Sequence, residues 1–183
     1  MIFSQAEISG VWLIEPERLQ DERGFFARTW DRDAFSDSGL NPQLVQCSIS
    51  FNRKRGTLRG LHYQSAPHEE GKLVRCTSGA VFDVALDLRA ESPTFRAWFG
   101  AELSADNRLA LYVPEGCAHG FLTLEDSTEV HYQMTEFYVP EAARGVRWDD
   151  PAFGIMWPGE VEVISDRDRT YPDFGVETVQ QRA

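Results

Sequence analysis

The stretch KLVRCTSGAVFDVALDLR, from Lys72 to Arg89, establishes the fold class. It contains two short runs rich in Val, Leu and Phe, Lys72–Ser78 and Ala80–Arg89, which are separated by Gly79. Short runs of this kind between turn residues predict β-strands. The same pattern recurs along the chain, where Gly, Pro, Asn and Asp interrupt apolar runs at intervals of roughly 8–12 residues.

The pattern predicts an all-β chain with two short helices. The further predicted strands are Glu7–Leu13, Gln43–Phe51, Thr57–Tyr63, Thr94–Leu103, Ala110–Val113, His119–Leu124, Glu129–Thr135 and Gly145–Trp148. Asp31 as a cap and Gly39 as a stop predict a helix over Asp31–Ser38, and Asp166–Thr170 predicts one further turn. Because this many short strands usually close into a barrel or a double-sheet jelly roll, we expect one such domain over residues 1–183.

Composition limits the function. The 183 residues carry 18 Lys and Arg against 29 Asp and Glu, a formal charge of -11, which argues against a nucleic-acid surface. No apolar run approaches the ~20 residues of a membrane span, and the N-terminal MIFSQAEISG lacks the features of a secretory signal. Three cysteines without a CxxC pair suit reduced thiols, so we expect a cytoplasmic protein without a membrane partner.

The segment from Asn52 to Arg75 is a basic exception in this acidic chain. It holds six basic and two acidic residues, a local charge of 6 − 2 = +4. Arginine suits a diphosphate, although a solvated surface would also explain such a run. In a regular strand Arg59 and His62 point to opposite faces, and only a twist or bulge at Gly60 would bring both toward one cavity.

A second candidate segment, Pro114–Phe121, places His119 after a tight turn at the start of an apolar strand. With His62, Gln64 and Glu69, it resembles the metal-binding pattern of cupins, in which three His and one Glu hold a transition metal. Gln64 stands where one His would be, and a neutral amide is a poor substitute for imidazole. A metal-dependent cupin oxygenase or isomerase that uses His62, Glu69 and His119 is therefore one alternative.

Six motifs extend the comparison over the chain: RGLHYQ (59–64), GKLVR (71–75), VFDVALDLR (81–89), SPTF (92–95), PEGCAHGF (114–121) and RWDDP (147–151). Together they resemble the dTDP-4-dehydrorhamnose 3,5-epimerase family, and the likeness runs from Asp21 to Asp168. The resemblance implies a cupin-type jelly roll, or double-stranded β-helix, with short peripheral helices. It also implies a homodimer that uses no metal and no cofactor.

The resemblance further implies acid–base chemistry on a nucleotide-linked 4-keto-6-deoxyhexose, whose C3 and C5 protons are acidified by the carbonyl. His62 matches the family's base, and Asp168 matches the carboxylate that orients it. Tyr132 matches the acid on the opposite face, and Lys72 matches the cation beside the 4-oxygen, where enolate charge develops. The substrate-binding positions that carry over are Arg23, Gln46, Ser48, Arg59, His119, Arg167 and Tyr138, with Tyr138 stacking on the base.

The departures from the family pattern concern nucleotide recognition. Arg28 and Ala143 stand where the family usually has glutamates that contact the nucleotide, and Gln46-Cys47-Ser48 replaces the usual Gln-Asp-Asn. The catalytic set is intact. An epimerase for a different nucleotide sugar, or one acting at C3 only, is therefore a further alternative. A non-catalytic sugar-nucleotide-binding module is disfavoured because both acid and base are present.

Overall fold

The computed structural model describes residues 1–175, which form fourteen strands and two short α-helices. In chain order these are β1 (Ile2–Gln5), β2 (Trp12–Glu15), β3 (Arg18–Asp21), β4 (Gly24–Ala27), α1 (Arg32–Asp37), β5 (Gln46–Asn52), β6 (Thr57–Gln64), β7 (Lys72–Ser78), β8 (Ala80–Asp87), β9 (Trp98–Ser104), β10 (Ala110–Val113), β11 (Cys117–Thr123), β12 (Thr128–Met134), β13 (Ala143–Gly145), β14 (Val163–Ile164) and α2 (Asp166–Arg169). A 3-10 turn, Pro140–Ala142, precedes β13. Over this part of the chain no helix is long and apolar enough to cross a membrane.

The strands form two large sheets and a separate hairpin. The first sheet has the order β1-β2-β10-β7-β12-β5, and the second has the order β13-β6-β11-β8-β9, to which β14 adds in parallel beside β6. The hairpin consists of β3 and β4. Strands distant in sequence are neighbours in each sheet; for example, β10 pairs with β2 on one side and with β7 on the other. Two facing antiparallel sheets with these crossing connections form a cupin-type jelly roll.

Alternating side chains explain why the strands are apolar along both faces. In β7, Val74 belongs to the core between the sheets, while Leu73 belongs to an outer cluster with Phe35 of α1. In β8, Ala85 belongs to the same core, while Val84 belongs to a second outer cluster. Because successive residues of a strand point to opposite faces, both faces of these interior strands are buried. The interior strands therefore read as nearly continuous apolar runs.

The predicted all-β jelly roll with short peripheral helices is confirmed. Strands Lys72–Ser78 and Ala110–Val113 have the predicted bounds, and six other predicted strands differ by one to four residues at an end. Helix α1 begins after Asp31, whose side chain accepts hydrogen bonds from two backbone N–H groups of the first turn. Gly39 follows its end with a φ of 73°.

Two predicted strand positions are wrong. Of the predicted strand Glu7–Leu13 only Trp12 and Leu13 lie in a strand, β2, because the chain turns at Gly10, whose φ is 78°, between β1 and β2. Strand β13 occupies Ala143–Gly145 rather than the predicted Gly145–Trp148. The sequence pattern also does not predict the β3–β4 hairpin, because nearly all of its side chains are exposed and lack the apolar alternation of a packed strand.

Strand β9 begins later than predicted because the preceding residues form turns around a buried carboxylate. Asp87 is fully buried, and its Oδ2 accepts hydrogen bonds from the hydroxyls of Ser92 and Thr94 at 2.5 and 2.7 Å. These bonds hold the chain in a turn until Trp98, where β9 starts.

Candidate active site

A cavity of about 630 Å³ lies between the two sheets. Strands β5, β7 and β12 of the first sheet, strands β6, β11 and β14 of the second, and helix α2 contribute its lining. Its polar lining residues are Ser50, Thr57, Arg59, His62, Lys72, His119, Tyr132, Ser165, Arg167 and Asp168. Seven of the eleven predicted site residues are therefore brought together, although they range from position 59 to position 168.

A bulge in β6 turns Arg59 and His62 toward the same cavity. On β11, His119 pairs with His62 and Phe121 pairs with Arg59, so three residue steps on β6 match two on β11. The extra residue reverses the alternation between Arg59 and His62. The regular alternation that would place these two side chains on opposite faces is therefore interrupted, and the bulge considered at Gly60 is present.

Gly60 occupies this bulge because no side chain fits there. Its φ is 125°, in the region that favours glycine. A Cβ at this position would lie 2.6 Å from Cα of Gly120 and 2.8 Å from the carbonyl oxygen of His119. Leu61, the next residue, packs in the outer cluster of the second sheet, so it does not share the face of Arg59.

His62 and Asp168 form a hydrogen-bonded dyad. Nε2 of His62 lies 2.7 Å from Oδ1 of Asp168, and the N–H of Gly60 donates to Oδ2. Burial raises the pKa of Asp168, but the bonds from His62 and Gly60 oppose this effect and hold that pKa below its ordinary value. An ionised Asp168 accepts a hydrogen bond from the Nε2–H group of His62, so the lone pair of the imidazole ring lies on Nδ1.

Local structure explains how Asp168 reaches His62. Strand β14 pairs Val163 with Thr57 of β6, so the chain enters α2 alongside the strand that carries His62. Ser165 caps α2, because its Oγ accepts the N–H of Asp168 at 3.1 Å. Asp168 thus lies in the first turn of α2 and is 4% exposed.

Tyr132 lies on the first sheet, whereas His62 lies on the second. The ring of Tyr132 packs edge to face against His119, with 5.9 Å between ring centroids. Burial raises the pKa of Tyr132 strongly, and the charge of Asp83 raises it further. The phenol therefore keeps its proton at neutral pH and is available as an acid.

Asp83 holds His119 in a second dyad. Nε2 of His119 lies 2.8 Å from Oδ1 of Asp83, whose side chain is fully buried. Asp83 is a site residue that the motif analysis does not single out. Its signal is present in the sequence, because a carboxylate inside a buried apolar strand requires a polar partner.

Lys72 extends from β7 of the first sheet and is 8% exposed. Its Nζ donates to the carbonyl oxygen of His62 at 3.2 Å and pairs with a carboxylate oxygen of Glu70 at 2.9 Å. A buried ammonium needs such partners, since desolvation without them is costly. The ammonium of Lys72 is therefore a fixed cation beside His62.

The two arginines of the cavity bind uncharged partners. Nε of Arg59 donates to Oδ1 of Asn52 at 2.7 Å, and Nε of Arg167 donates to the hydroxyl of Tyr171 at 2.8 Å. Within residues 1–175 neither guanidinium pairs with a carboxylate. Both remain free to bind a phosphate with their other N–H groups.

Tyr138 and Gln46 lie outside the cavity lining but contact each other. Oε1 of Gln46 accepts the backbone N–H of Tyr138 at 2.6 Å, and the Tyr138 side chain is exposed. The pKa of Arg167 is raised mainly by Tyr171, with Tyr138 adding to the effect. Tyr138 therefore lies near the arginine that connects this exposed surface with the cavity.

Ser48 and Arg23 also lie outside the cavity lining. Ser48 is exposed on β5 opposite Tyr132. Arg23 belongs to the turn of the β3–β4 hairpin, where its side chain is 84% exposed and pairs with Asp21. The structure therefore does not bring Arg23 into the cavity of its own chain.

The residues of the metal alternative do not form a ligand cluster. Over the described part of the chain, no three His, Cys, Asp or Glu side chains are grouped as metal ligands. Gln64 is buried, and its amide binds the carbonyl oxygens of His68 and Phe137 and the N–H of Val139. Gln64 therefore fixes the loop around Tyr138.

Tyr171 is another residue that the sequence analysis misses. Its ring lies edge to face with His62, with 6.3 Å between centroids, and its hydroxyl binds Arg167. A Cβ at position 145 would lie 2.2 Å from the Tyr171 ring, so the small Gly145 makes room for it. No motif marks this contact, because it depends on how the segment after α2 returns to β13.

A jelly roll that brings a His–Asp dyad together with a buried tyrosine and a lysine of the facing sheet around one cavity has the side chains that an enzyme of the cupin type needs for acid–base chemistry. The sequence profile of the dTDP-4-dehydrorhamnose 3,5-epimerases matches residues 5–175. The chain belongs to this family.

Individual relatives agree. The dTDP-4-dehydrorhamnose 3,5-epimerase of Sinorhizobium fredii is 45% identical over 175 residues, which cover 95% of this chain and 90% of the relative. The Legionella pneumophila dTDP-6-deoxy-D-glucose-3,5-epimerase, solved with dTDP-4-keto-L-rhamnose, is 38% identical with a TM-score of 0.85, covering 91% of this chain and 89% of that one. A 3'-monoepimerase of Streptomyces bikiniensis, solved with dTDP-quinovose, is 31% identical with a TM-score of 0.88, covering 96% and 89%.

Proposed function

We propose that this chain epimerises C3 and C5 of a dTDP-linked 4-keto-6-deoxyhexose, converting dTDP-4-dehydro-6-deoxyglucose to dTDP-4-dehydro-L-rhamnose. The observation that carries this proposal is the placement of the His62–Asp168 dyad and Tyr132 on facing sheets around one cavity. Inversion of a carbon requires a base and an acid on opposite faces of the sugar ring. Membership of the family and the ligand of the Legionella relative support the substrate class.

The first step is proton abstraction. Nδ1 of His62 removes the proton from the carbon next to the carbonyl, and the electron pair moves onto the 4-oxygen to form an enolate. Asp168 stabilises the imidazolium that results. The ammonium of Lys72 is the fixed positive charge for the enolate oxygen.

The second step is reprotonation from the other face. Tyr132 delivers its phenolic proton to the same carbon, the enolate electrons reform the carbonyl, and the configuration is inverted. The raised pKa of Tyr132 means that the phenol enters the step protonated. After the inversion His62 holds the abstracted proton and Tyr132 is a phenolate, so solvent takes the proton from His62 and returns one to Tyr132 before the next inversion. The reaction is redox-neutral and needs no oxidant or reductant.

The nucleotide binds on the arginine side of the cavity in this proposal. Arg59 and Arg167 hold the diphosphate, because both guanidinium groups lack a carboxylate partner within residues 1–175. Tyr138 stacks on the base, and Gln46 orients the Tyr138 backbone. Arg28, which stands where the family usually has a glutamate, donates to Oδ2 of Asp31 at 2.7 Å.

We also propose that two copies of the chain associate. Large apolar side chains are exposed on the hairpin and on the edge strand β5, which is unusual for a protein that functions as a monomer. They are Leu19, Phe25, Phe26, Ile49 and Phe51. In such a dimer the exposed Arg23 could contact the other subunit. Light scattering at micromolar concentration tests this; a monomer would contradict it.

The function is tested with 4-keto-6-deoxyhexoses linked to thymidine, cytidine, uridine or guanosine diphosphate in deuterated water. NMR locates the exchanged positions. We expect exchange at C3 and C5 of the thymidine compound, insensitive to chelator and absent in His62→Ala. Unchanged exchange in His62→Ala would contradict the proposed base.

Exchange confined to C3 is the second candidate outcome. The observation that favours it is the similarity to the 3'-monoepimerase from Streptomyces bikiniensis. Activity that is lost in chelator and restored by a transition metal would instead support a metal-dependent cupin.

A further inference from the structure

Glu70 is a nearly buried carboxylate next to the cavity to which the mechanism above gives no role. Its side chain is 10% exposed, and Oε1 lies 2.9 Å from Nζ of Lys72, which is equally enclosed. Across residues 1–175 this is the only ion pair that Lys72 makes. Glu70 comes two positions before Lys72, at the entrance to β7, so the pair is set by local chain geometry.

The number of hydrogen-bond donors on Lys72 explains how its pair with Glu70 orients the ammonium group. An ammonium group has three N–H donors and no acceptor. One donates to Glu70 at 2.9 Å, and one donates to the carbonyl oxygen of His62 at 3.2 Å. One donor is left, and Lys72 lines the cavity. Two fixed partners therefore determine the direction of the third N–H.

We propose that Glu70 is a positioning residue that aims the free N–H of Lys72 at the 4-oxygen of the sugar. The proposal rests on the epimerase function proposed above. An aimed donor acts only where enolate charge develops, so the contribution of Glu70 falls on kcat more than on KM.

The other carboxylates of the site do not replace Glu70 as the partner of Lys72. Both other carboxylates of the site are engaged, Asp168 by His62 and Asp83 by His119. The remaining charged or titratable groups that line the cavity with Lys72 are Arg59, His62, His119, Tyr132 and Arg167. Without Glu70 the partner left to Nζ of Lys72 within residues 1–175 is the carbonyl oxygen of His62, so the direction of its other N–H groups is no longer fixed.

The experiment compares the wild type with Glu70→Gln, Glu70→Asp and Glu70→Ala. Glutamine keeps an acceptor and removes the charge, whereas alanine removes both. The matched control is Glu91→Gln, which removes an exposed carboxylate from the turn between β8 and β9. For each variant, kcat and KM are measured by solvent deuterium exchange and by product formation, and thermal unfolding is followed.

Glu70→Ala should lose at least about tenfold in kcat with KM within about threefold, since a misplaced catalytic group costs up to about 100-fold. Glu70→Gln should keep most of the wild-type kcat, because the amide oxygen can still accept an N–H of Lys72. Glu70→Asp should recover kcat in part relative to Glu70→Ala.

Two results would overturn the proposal while leaving the function intact: a Glu70→Ala enzyme with the wild-type kcat, or rate losses in Glu70→Ala that match its loss of thermal stability. A wild-type enzyme that exchanges no sugar proton would instead refute the proposed function, so the two failures are distinguishable.

Discussion

Replacing Asp168 by asparagine removes the charge of the dyad and keeps the shape of the side chain. The carboxylate is 4% exposed and lies 2.7 Å from Nε2 of His62. Unit charges centred about 4 Å apart interact by about 4 kcal/mol at an effective dielectric constant of about 20. Because about 1.4 kcal/mol corresponds to a factor of ten in rate, loss of this stabilisation of the imidazolium predicts a fall in kcat of about 10³-fold.

The hydrogen bond adds to the effect of charge. The asparagine amide can donate to Nε2, which would place the proton on Nδ1 and remove the lone pair that the base requires. The corresponding change in a Ser-His-Asp triad lowers kcat by about 10⁴-fold for this reason. Asp168→Asn should therefore lower kcat by about 10³- to 10⁴-fold, with a small change in KM.

The assay is the initial rate of deuterium incorporation at C3 and C5 with substrate above KM. The control is Asp166→Asn, because Asp166 is an exposed carboxylate on the same short helix. Circular dichroism and thermal unfolding establish that both variants fold. A folded Asp168→Asn enzyme that keeps more than about a tenth of the wild-type kcat would refute the assignment of Asp168 as the partner of the base.

Three further predictions follow from individual side chains. Tyr132→Phe should still exchange protons with solvent but should lose inversion by about 10²-fold or more, as NMR of the product would show; equal loss of both would contradict its role as acid. Gly60→Ala should lower the free energy of unfolding in urea by more than about 3 kcal/mol, because its Cβ would lie 2.6 Å from Cα of Gly120. Gly24→Ala, with a similar φ of 129° and open space around it, is the control, and equal losses would contradict the steric argument. Burial raises the pKa of Asp87, yet its hydrogen bonds hold the pKa at about 2 against an ordinary 3.8. Its stabilisation is therefore present above about pH 4 and is lost as the pH falls toward 2, so the urea stability difference between wild type and Asp87→Asn should shrink by about 2 kcal/mol over that range.

The interior strands could be predicted from the sequence because both of their faces are buried. Lys72–Ser78 and Ala110–Val113 are apolar on both faces and end at turn residues, so their bounds are found as predicted. The β3–β4 hairpin could not be predicted because its strands bury almost nothing. Its pairing depends on the turn and on neighbours outside its own sequence pattern.

The candidate site could be predicted in membership but not in geometry. Motifs indicate His62, Tyr132 and Lys72, and the cavity contains all three. Strict alternation places Arg59 on the wrong face, because the bulge exists only through the close contact between β6 and β11. The partner of Lys72 is likewise invisible to periodicity, since it depends on the direction of two side chains in one short segment.

The partners of the charged groups indicate how a chain with a formal charge of -11 binds a dianionic diphosphate. His62, His119 and Lys72 each contact a buried carboxylate, at 2.7, 2.8 and 2.9 Å. Each of these pairs is close to neutral when its basic group is protonated, so none of them attracts the diphosphate strongly. Arg59 and Arg167 bind an amide and a phenol instead, so their charges are not neutralised and sum to +2. In the proposed function, the diphosphate is therefore drawn to the arginines, and the sugar is left beside the histidine and lysine pairs that we propose for the proton transfers.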